Sequence, residues 1–218
     1  DNFKEVLVIT HKKNKGLGAA VRTGLSVADK IHANIVVKYD ADLQHEPNDI
    51  LDLIKPIYDD EADVVYGNRF KKINYKMPFI RKIGNKVFTG LMRWLTGWPL
   101  RDSQPGIFAV NNIFLRNFYL PGDYNYTQQI LLDAYHRNLR FSHKYVTFNK
   151  RKEGKSFVKL NYPFKVIPQI IQVIIGIKPL KIFGPIGLFF LFLGFIIFIY
   201  QVTSFILGLT QKPVENVN

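Results

Sequence analysis

The feature that most constrains the fold is a long apolar run near the C-terminus. No Asp, Glu, Lys or Arg occurs between Lys181 and Lys212. About 20 helical residues span the ~30 Å hydrocarbon core of a bilayer. We therefore predict a transmembrane helix over 181–211, followed by a short tail at 212–218. Lys and Arg are far more numerous before this run than after it, so the N-terminal part is predicted to be cytosolic.

The segment before that helix, 158–180, carries few charges over 164–177 and is predicted to include a helix lying in the membrane interface. The whole chain has a net charge of +13, which suits anionic lipid, phosphorylated substrates or nucleic acid. Nucleic acid is the least favoured of these, because the charge clusters beside a membrane span and no recognition motif is present. There is no cysteine, which excludes disulfides and thiolate metal sites.

Residues 1–157 carry an α/β pattern. Apolar runs at 6–10, 35–39 and 63–66 predict strands, and helical spacing over 14–31 and 47–57 predicts the helices between them. Strands and helices that alternate over short joints favour a parallel sheet with right-handed crossovers. Because the chain starts directly on a strand, we expect that an N-terminal piece of this domain is missing.

Two carboxylates and an amide follow the strand at 35–39. In an extended or gently turning chain, Asp40, Asp42 and Gln44 point the same way. Carboxylate and amide oxygens suit Mg²⁺ or Mn²⁺, and ligands of such sheets bind beyond the carboxyl ends of the strands. The alternative is that these residues simply end a strand and begin a turn.

Two further segments each leave two interpretations open. Residues 71–101 are basic, and apolar residues recur at helical spacing from Ile83 to Leu95, so this helix can lie against a core or a bilayer surface. The basic loop at 149–156 suits phosphate recognition or is an ordinary surface turn. Gly16 and Gly18 fit no complete phosphate-binding motif, and close packing of the helix start against the sheet is their predicted role.

Several blocks of the sequence together resemble family 2 glycosyltransferases. They are NKGLGAAVRTG from Asn14, DADLQH from Asp40, GNRF from Gly67, Arg101-Asp102 followed by Gly106-Ile107-Phe108, and Arg151 followed by Gly154-Lys155-Ser156. The nearest branch transfers mannose or glucose to polyprenyl (dolichyl) phosphate. The resemblance covers nearly the whole chain and includes the terminal membrane helix.

The resemblance implies a GT-A fold (the Rossmann-like fold of nucleotide-diphospho-sugar transferases), incomplete at its N-terminus. It also implies a nucleotide-sugar donor of the GDP-mannose or UDP-glucose type, Mg²⁺ or Mn²⁺, and transfer of a hexose with inversion. The residues that it implicates are Asp40, Asp42 and Gln44 for metal and donor diphosphate, Arg22 for the nucleotide, Arg69, Arg81, Arg151 and Ser156 for substrate phosphate, and Asp102 as the candidate base if one is needed.

We therefore expect a hexosyltransferase of the plasma membrane or endoplasmic reticulum with a cytosolic catalytic domain. Its expected partners are a nucleotide-sugar, a polyprenyl-phosphate lipid and the membrane. No nucleic-acid partner is expected, and the sequence leaves the oligomeric state undetermined. Two alternatives remain: a transferase that acts on another lipid or a polysaccharide, and a non-catalytic membrane adaptor whose basic face binds anionic lipid.

Overall fold

A computed structural model describes residues 5–73, 79–123, 126–149, 168, 175 and 179–208. The chain divides into two compact units, Asp1–Val173 and Ile174–Asn218. The first unit holds a sheet and its helices, and the second holds one long helix.

The first unit contains a mixed α/β arrangement. Its helices are α1 Leu17–Lys30, α2 Asp49–Tyr58, α3 Phe79–Thr96, α4 Asn112–Leu115 and α5 Tyr126–His136. Its strands are β1 Ile35–Lys38, β2 Val64–Ile73, β3 Phe108–Asn111 and β4 Phe141–Phe148. The predicted strands at 35–39 and 63–66 and the predicted helices after Asn14 and Pro47 are thus present.

The described strands form one sheet in the order β1-β3-β2-β4. β3 runs antiparallel to both of its neighbours, with Val110 opposite Val36 of β1 and Val64 of β2. β2 and β4 are parallel. The prediction of a purely parallel sheet is therefore wrong. β1 and β2 do point the same way, but a returning strand from later in the chain lies between them.

The predicted strand at 6–10 is also wrong. Residues 6–10 form neither strand nor helix, and the side chain of Val8 is 79% exposed. An isolated extended run needs a neighbouring strand to satisfy its backbone groups. Within the part of the chain that the structure describes, β1 pairs only with β3, so the apolar run at 6–10 has no strand beside it.

The core lies between helix α2 and the middle of the sheet. β3 is buried along its whole length, as expected of a central strand that is covered on both faces. Leu53 and Ile57 of α2 pack against Val65, Ala109 and Val146. This packing fixes the ends of β1 and β2 relative to each other.

The second unit is the helix α6, Pro179–Ile206. Its residues Phe183–Ile206 have a mean hydropathy of 2.3, and none of that stretch is buried inside the protein. By length and composition, α6 can cross a membrane, as the sequence predicted for 181–211. The predicted interfacial helix within 158–180 falls mostly outside the described residues, and the tail at 212–218 lies outside them entirely.

Candidate active site

The carboxyl end of β1 leads directly into a tight turn that carries the predicted metal ligands. Asp42 Oδ1 accepts a hydrogen bond of 3.3 Å from the backbone N–H of Gln44. The buried side chain of Gln44 donates from Nε2 to the carbonyl of Asn149 at 3.0 Å. Leu43, between them, has a φ of 59°. A left-handed leucine costs about 1–2 kcal/mol, and such strain concentrates at functional sites.

The donor set of this turn fits a hard divalent cation. Asp40 and Asp42 supply carboxylate oxygens and Gln44 supplies an amide oxygen, which are the ligand types that Mg²⁺ and Mn²⁺ prefer. Mg²⁺ usually takes one or two protein carboxylates and keeps other positions for water and substrate phosphate. Among the described residues, no group of three His, Cys, Asp or Glu side chains that could hold a metal ion is present.

Lys38, which the sequence analysis did not identify, connects this turn to a second loop. Its Nζ lies 2.7 Å from Asp40 Oδ1 and donates to the carbonyl of Gly106 at 2.7 Å. The ammonium also lies over the ring of Tyr126, 5.6 Å from its centroid. A lysine whose side chain is only 11% exposed therefore holds the first carboxylate of the motif against the loop at 102–106.

Arg69 and Asp102, both identified from the sequence, form an ion pair. Arg69 Nε lies 2.9 Å from Asp102 Oδ2, and the two side chains are only 11% and 1% exposed. Asp102 Oδ1 also accepts hydrogen bonds from Asn85 Nδ2 at 3.0 Å and from the backbone N–H of Gln104 at 2.9 Å. The carboxylate of Asp102 is thus held from several sides and fixes the guanidinium of Arg69, which lies within β2 where its pairing with β4 is interrupted between Asn68 and Lys72.

A buried polar network joins the Asp102 loop to helix α3. Thr89 Oγ1 donates to Asn85 Oδ1 at 3.1 Å and lies 3.1 Å from Ser103 Oγ. The backbone N–H of Ser103 donates to the same Thr89 hydroxyl at 3.2 Å. Asn85 and Thr89 are four residues apart and share a helix face. That spacing is the only sequence signal that could have found them.

His45 packs the turn of β1 against the loop that contains Gly106. Its ring is buried and lies 5.1 Å from the ring of Phe148. The Tyr39 hydroxyl donates a hydrogen bond to the backbone carbonyl of His45. A Cβ added at Gly106 would overlap the imidazole Nε2. Burial lowers the pKa of His45, although Asp40 opposes that effect. The histidine is a packing element beneath the candidate metal turn.

Arg22, which the resemblance implicates in nucleotide binding, contacts the chain at Leu120 and Asp123. Its guanidinium donates to the carbonyl of Leu120 at 2.7 Å and to Asp123 Oδ1 at 2.6 Å. It lines a cavity of about 580 Å³ together with Ser26 and Tyr119. Gly18 is packed so closely that an added Cβ would overlap the Asp123 carbonyl. Close packing at this helix start is therefore present, but the prediction that it is against the sheet is wrong, because the neighbour of Gly18 is the backbone of Asp123.

Three of the predicted substrate-binding residues cannot be placed at this site. Arg151 and Ser156 lie outside the described residues. Arg81 lies on helix α3, but its side chain is not among those described. Their roles stay predictions.

Comparison with known proteins identifies the family. Residues 1–117 match glycosyl transferase family 2, which is more than half of the 218 residues. The chain belongs to this family. One relative is the UDP-N-acetylglucosamine–dolichyl-phosphate N-acetylglucosaminyltransferase of Methanococcus voltae, 40% identical over 51% of this chain and 45% of the relative. Another is the dolichol-phosphate mannosyltransferase of Pyrococcus furiosus, 28% identical over 77% of this chain and 47% of the relative.

Solved structures show the same fold. Glucosyl-3-phosphoglycerate synthase of Mycobacterium tuberculosis superposes with a TM-score of 0.54 at 18% identity, covering 76% of this chain and 56% of that protein. That structure contains Mn²⁺, UDP-glucose and phosphoglyceric acid. The same enzyme in complex with phosphoglyceric acid gives a TM-score of 0.54 at 17% identity. The predicted GT-A fold is therefore confirmed. The chain spans less than half of the length of the two dolichyl-phosphate relatives.

Proposed function

We propose that the chain is the core of a membrane-anchored, inverting glycosyltransferase that moves a hexose from a nucleotide-sugar to a polyprenyl or dolichyl phosphate. The observation that carries the proposal is the strained Asp-x-Asp-x-Gln turn at the carboxyl end of β1, tied through Lys38 to the loop that bears Asp102. The names of the Methanococcus and Pyrococcus relatives, both acting on dolichyl phosphate, support this acceptor class.

The donor would bind at the β1 turn. Asp40, Asp42 and Gln44 are the residues that would hold Mg²⁺ or Mn²⁺ with the donor diphosphate, and the Mn²⁺ and UDP-glucose in the glucosyl-3-phosphoglycerate synthase structure support this. The metal supplies charge stabilisation for the leaving diphosphate. The bond that Gln44 makes to Asn149 keeps its amide in one orientation. The hydrogen bond from Gln44 N–H likewise orients Asp42.

The acceptor phosphate would bind at Arg69. A guanidinium fork matches phosphate oxygens, and Arg81, Arg151 and Ser156 are proposed to complete this anion site. A phosphate monoester is already anionic at neutral pH, since its second pKa is about 6. One of its oxygens can attack the sugar C1 directly while the bond from C1 to the nucleoside diphosphate breaks.

Asp102 would then act mainly as the residue that positions Arg69. The sequence analysis made it the candidate base, but the proposed acceptor has no proton that must be removed for attack. The carboxylate already contacts Arg69, Asn85 and Gln104. We propose that these contacts hold the guanidinium of Arg69 on β2, facing the acceptor.

The test is sugar transfer by the full-length protein in lipid nanodiscs. Polyprenyl phosphate and Mn²⁺ are supplied with labelled UDP-N-acetylglucosamine, UDP-glucose or GDP-mannose, and label in the lipid phase is counted. We expect transfer from one donor, and its loss in EDTA. An acceptor panel that includes polyprenol without phosphate separates this function from transfer to another lipid. If no donor is used, while anionic vesicles bind the protein equally with and without EDTA, the adaptor replaces the transferase.

A further inference from the structure

Lys38 contacts the loop that leads from Asp102 to strand β3. Its ammonium donates to the carbonyl of Gly106 at 2.7 Å and lies 2.7 Å from Asp40 Oδ1. Burial raises the pKa of Tyr126, and a hydrogen bond from Lys38 to the Tyr126 side chain opposes that rise. An ammonium has three N–H donors, and these three contacts use all of them. Lys38 therefore acts on the site by holding other groups of the protein.

The loop that Lys38 contacts is attached to β2 at both of its ends. At its start, Asp102 forms the buried ion pair with Arg69. At its end, the carbonyl of Ile107 accepts a hydrogen bond of 3.0 Å from the backbone N–H of Gly67. Gly106 lies between these two attachments. A displacement of its carbonyl can therefore reach the carboxylate that positions the guanidinium of Arg69.

The metal turn meets this loop through three contacts. A Cβ added at Gly106 would lie 2.4 Å from His45 Nε2, so the backbone there is packed against the imidazole. Strand β1 also pairs with β3, with Lys38 opposite Phe108. The third contact is the ammonium of Lys38 between Asp40 and Gly106. Of these three contacts, the last one involves a predicted metal ligand directly, so one side chain joins the donor side of the site to the acceptor side.

We propose that Lys38 is a positioning residue for the acceptor phosphate. By holding the Gly106 carbonyl, it keeps the loop where Asp102 orients Arg69. A hydrogen bond from an ammonium is stronger than one between neutral groups, which suits it to this role. On the donor side its effect is the opposite, because a cation beside Asp40 competes with the metal for that carboxylate. The inference rests on the proposed function, since it takes Arg69 as a ligand of the acceptor phosphate.

The test measures three ligand affinities of the full-length protein in nanodiscs of zwitterionic lipid. Geranyl phosphate, a short prenyl phosphate, is titrated calorimetrically in EDTA, and geraniol reports any binding that does not need the phosphate. Mn²⁺ is titrated by electron paramagnetic resonance, and UDP is titrated in saturating Mn²⁺. Lys38→Met keeps the aliphatic stem without the charge, and Lys38→Arg keeps a cation. Lys55→Met is the matched control, because the Lys55 side chain is 70% exposed.

We expect Lys38→Met to weaken geranyl phosphate binding at least fivefold and to tighten Mn²⁺ binding. Lys38→Arg should retain more of the phosphate affinity than Lys38→Met, and Lys55→Met should change neither affinity. A variant that merely loosened the fold would weaken both ligands, so the opposite signs identify a positioning role. Unchanged phosphate affinity in Lys38→Met overturns the inference. Weaker UDP binding in the same variant also overturns it, because Lys38 would then be a ligand of the donor.

A second readout needs no ligand. Hydrogen exchange at the backbone amides of Ser103 and Gln104 reports on the loop, because both amides donate to side-chain oxygens. Lys38→Met should speed this exchange, whereas Lys55→Met should not. Equal protection in the wild type and Lys38→Met contradicts the inference.

The same titrations separate a failure of this inference from a failure of the proposed function. If Arg69→Met binds geranyl phosphate as tightly as the wild type, the proposed acceptor site is wrong and the inference fails with it. If Arg69→Met loses the phosphate while Lys38→Met keeps it, the acceptor site stands and only the role of Lys38 is overturned.

Discussion

Replacing Asp102 by asparagine should destabilise the first unit strongly. The substitution keeps the shape of the side chain but removes the negative charge that lies 2.9 Å from Arg69 Nε, in a pair with 1% and 11% exposed side chains. Removing one partner of a buried ion pair costs about 3–5 kcal/mol, because the other charge stays buried without compensation. For a domain of 150–250 residues, each kcal/mol lowers Tm by about 2–4 °C. The expected fall in Tm is therefore roughly 6–20 °C.

The matched control is Asp59→Asn, which breaks an exposed i,i+4 pair with Lys55 at 3.6 Å. Such surface pairs contribute about 0.3–0.5 kcal/mol, so Tm should change by no more than about 2 °C. Thermal unfolding of the full-length protein in detergent, followed by intrinsic fluorescence, compares the two variants. The double variant Arg69→Met with Asp102→Asn should recover part of the loss. Equal Tm values for the two single variants would refute the buried pair.

Three further substitutions test other contacts within the first unit. Gly106→Ala should cost about 1–3 kcal/mol of unfolding free energy in urea titrations, because the new methyl overlaps the buried ring of His45; an unchanged midpoint contradicts that packing. Lys38→Met should tighten Mn²⁺ binding, measured by electron paramagnetic resonance, about tenfold, because Lys38 Nζ lies 2.7 Å from Asp40 Oδ1 and competes with a cation for that carboxylate. At this distance, the attraction between unit charges is about 1.5 kcal/mol in water-like screening. Unchanged or weaker binding contradicts the prediction. Burial raises the pKa of Asp63, but hydrogen bonds from Arg140 outweigh burial and hold that pKa below its usual value. The stability that this pair contributes is present above the unfolded pKa of about 3.9 and is lost as pH falls through the folded one. Unfolding of Asp63→Asn should therefore depend less on pH below about 5 than unfolding of the wild type, and parallel pH profiles would contradict the assignment.

Local patterns in the sequence predicted most of the helices and strands but not their arrangement. Val21, Leu25 and Ala28 recur at helical spacing, and all three are buried in α1. The position of β3 between β1 and β2 depends on pairing between residues 42 to 76 positions apart. Local periodicity carries no information about such pairing, so the order of the strands could not be predicted from the sequence.

The run at 6–10 was predicted as a strand that the structure does not contain. Its apolar, β-branched composition is typical of a buried strand, but burial needs a neighbour as well as a propensity. Helix α3 is a related case, because apolar residues from Ile83 to Leu95 belong to two faces. Leu95 faces the core and Ile83 faces solvent. The pattern alone left core and bilayer as alternatives, and the structure shows that only some of these apolar residues face the core.

The part of the candidate site whose functional side chains lie within a few consecutive residues could be predicted from the sequence. The turn from Asp40 to Gln44 follows a recognisable strand, so its place at a strand end could be predicted. The partners of its side chains could not. In the sequence, Lys38 is an ordinary strand residue. Only the structure shows that its ammonium donates to the carbonyl of Gly106, 68 positions away. Arg22 was expected near the nucleotide, and the structure pairs it with Asp123, 101 positions away.

The central claim is that the β1 turn supports metal-dependent sugar transfer to a lipid phosphate. Its most direct test is the initial rate of transfer from the preferred nucleotide-sugar to polyprenyl phosphate, in saturating Mn²⁺, for the full-length wild type, Asp42→Asn and Asp59→Asn. A metal contributes several kcal/mol of transition-state stabilisation, and each 1.4 kcal/mol is a factor of ten in rate. We predict that Asp42→Asn lowers the rate about 100-fold or more while Asp59→Asn retains the wild-type rate. Equal rates for Asp42→Asn and the wild type would contradict the account.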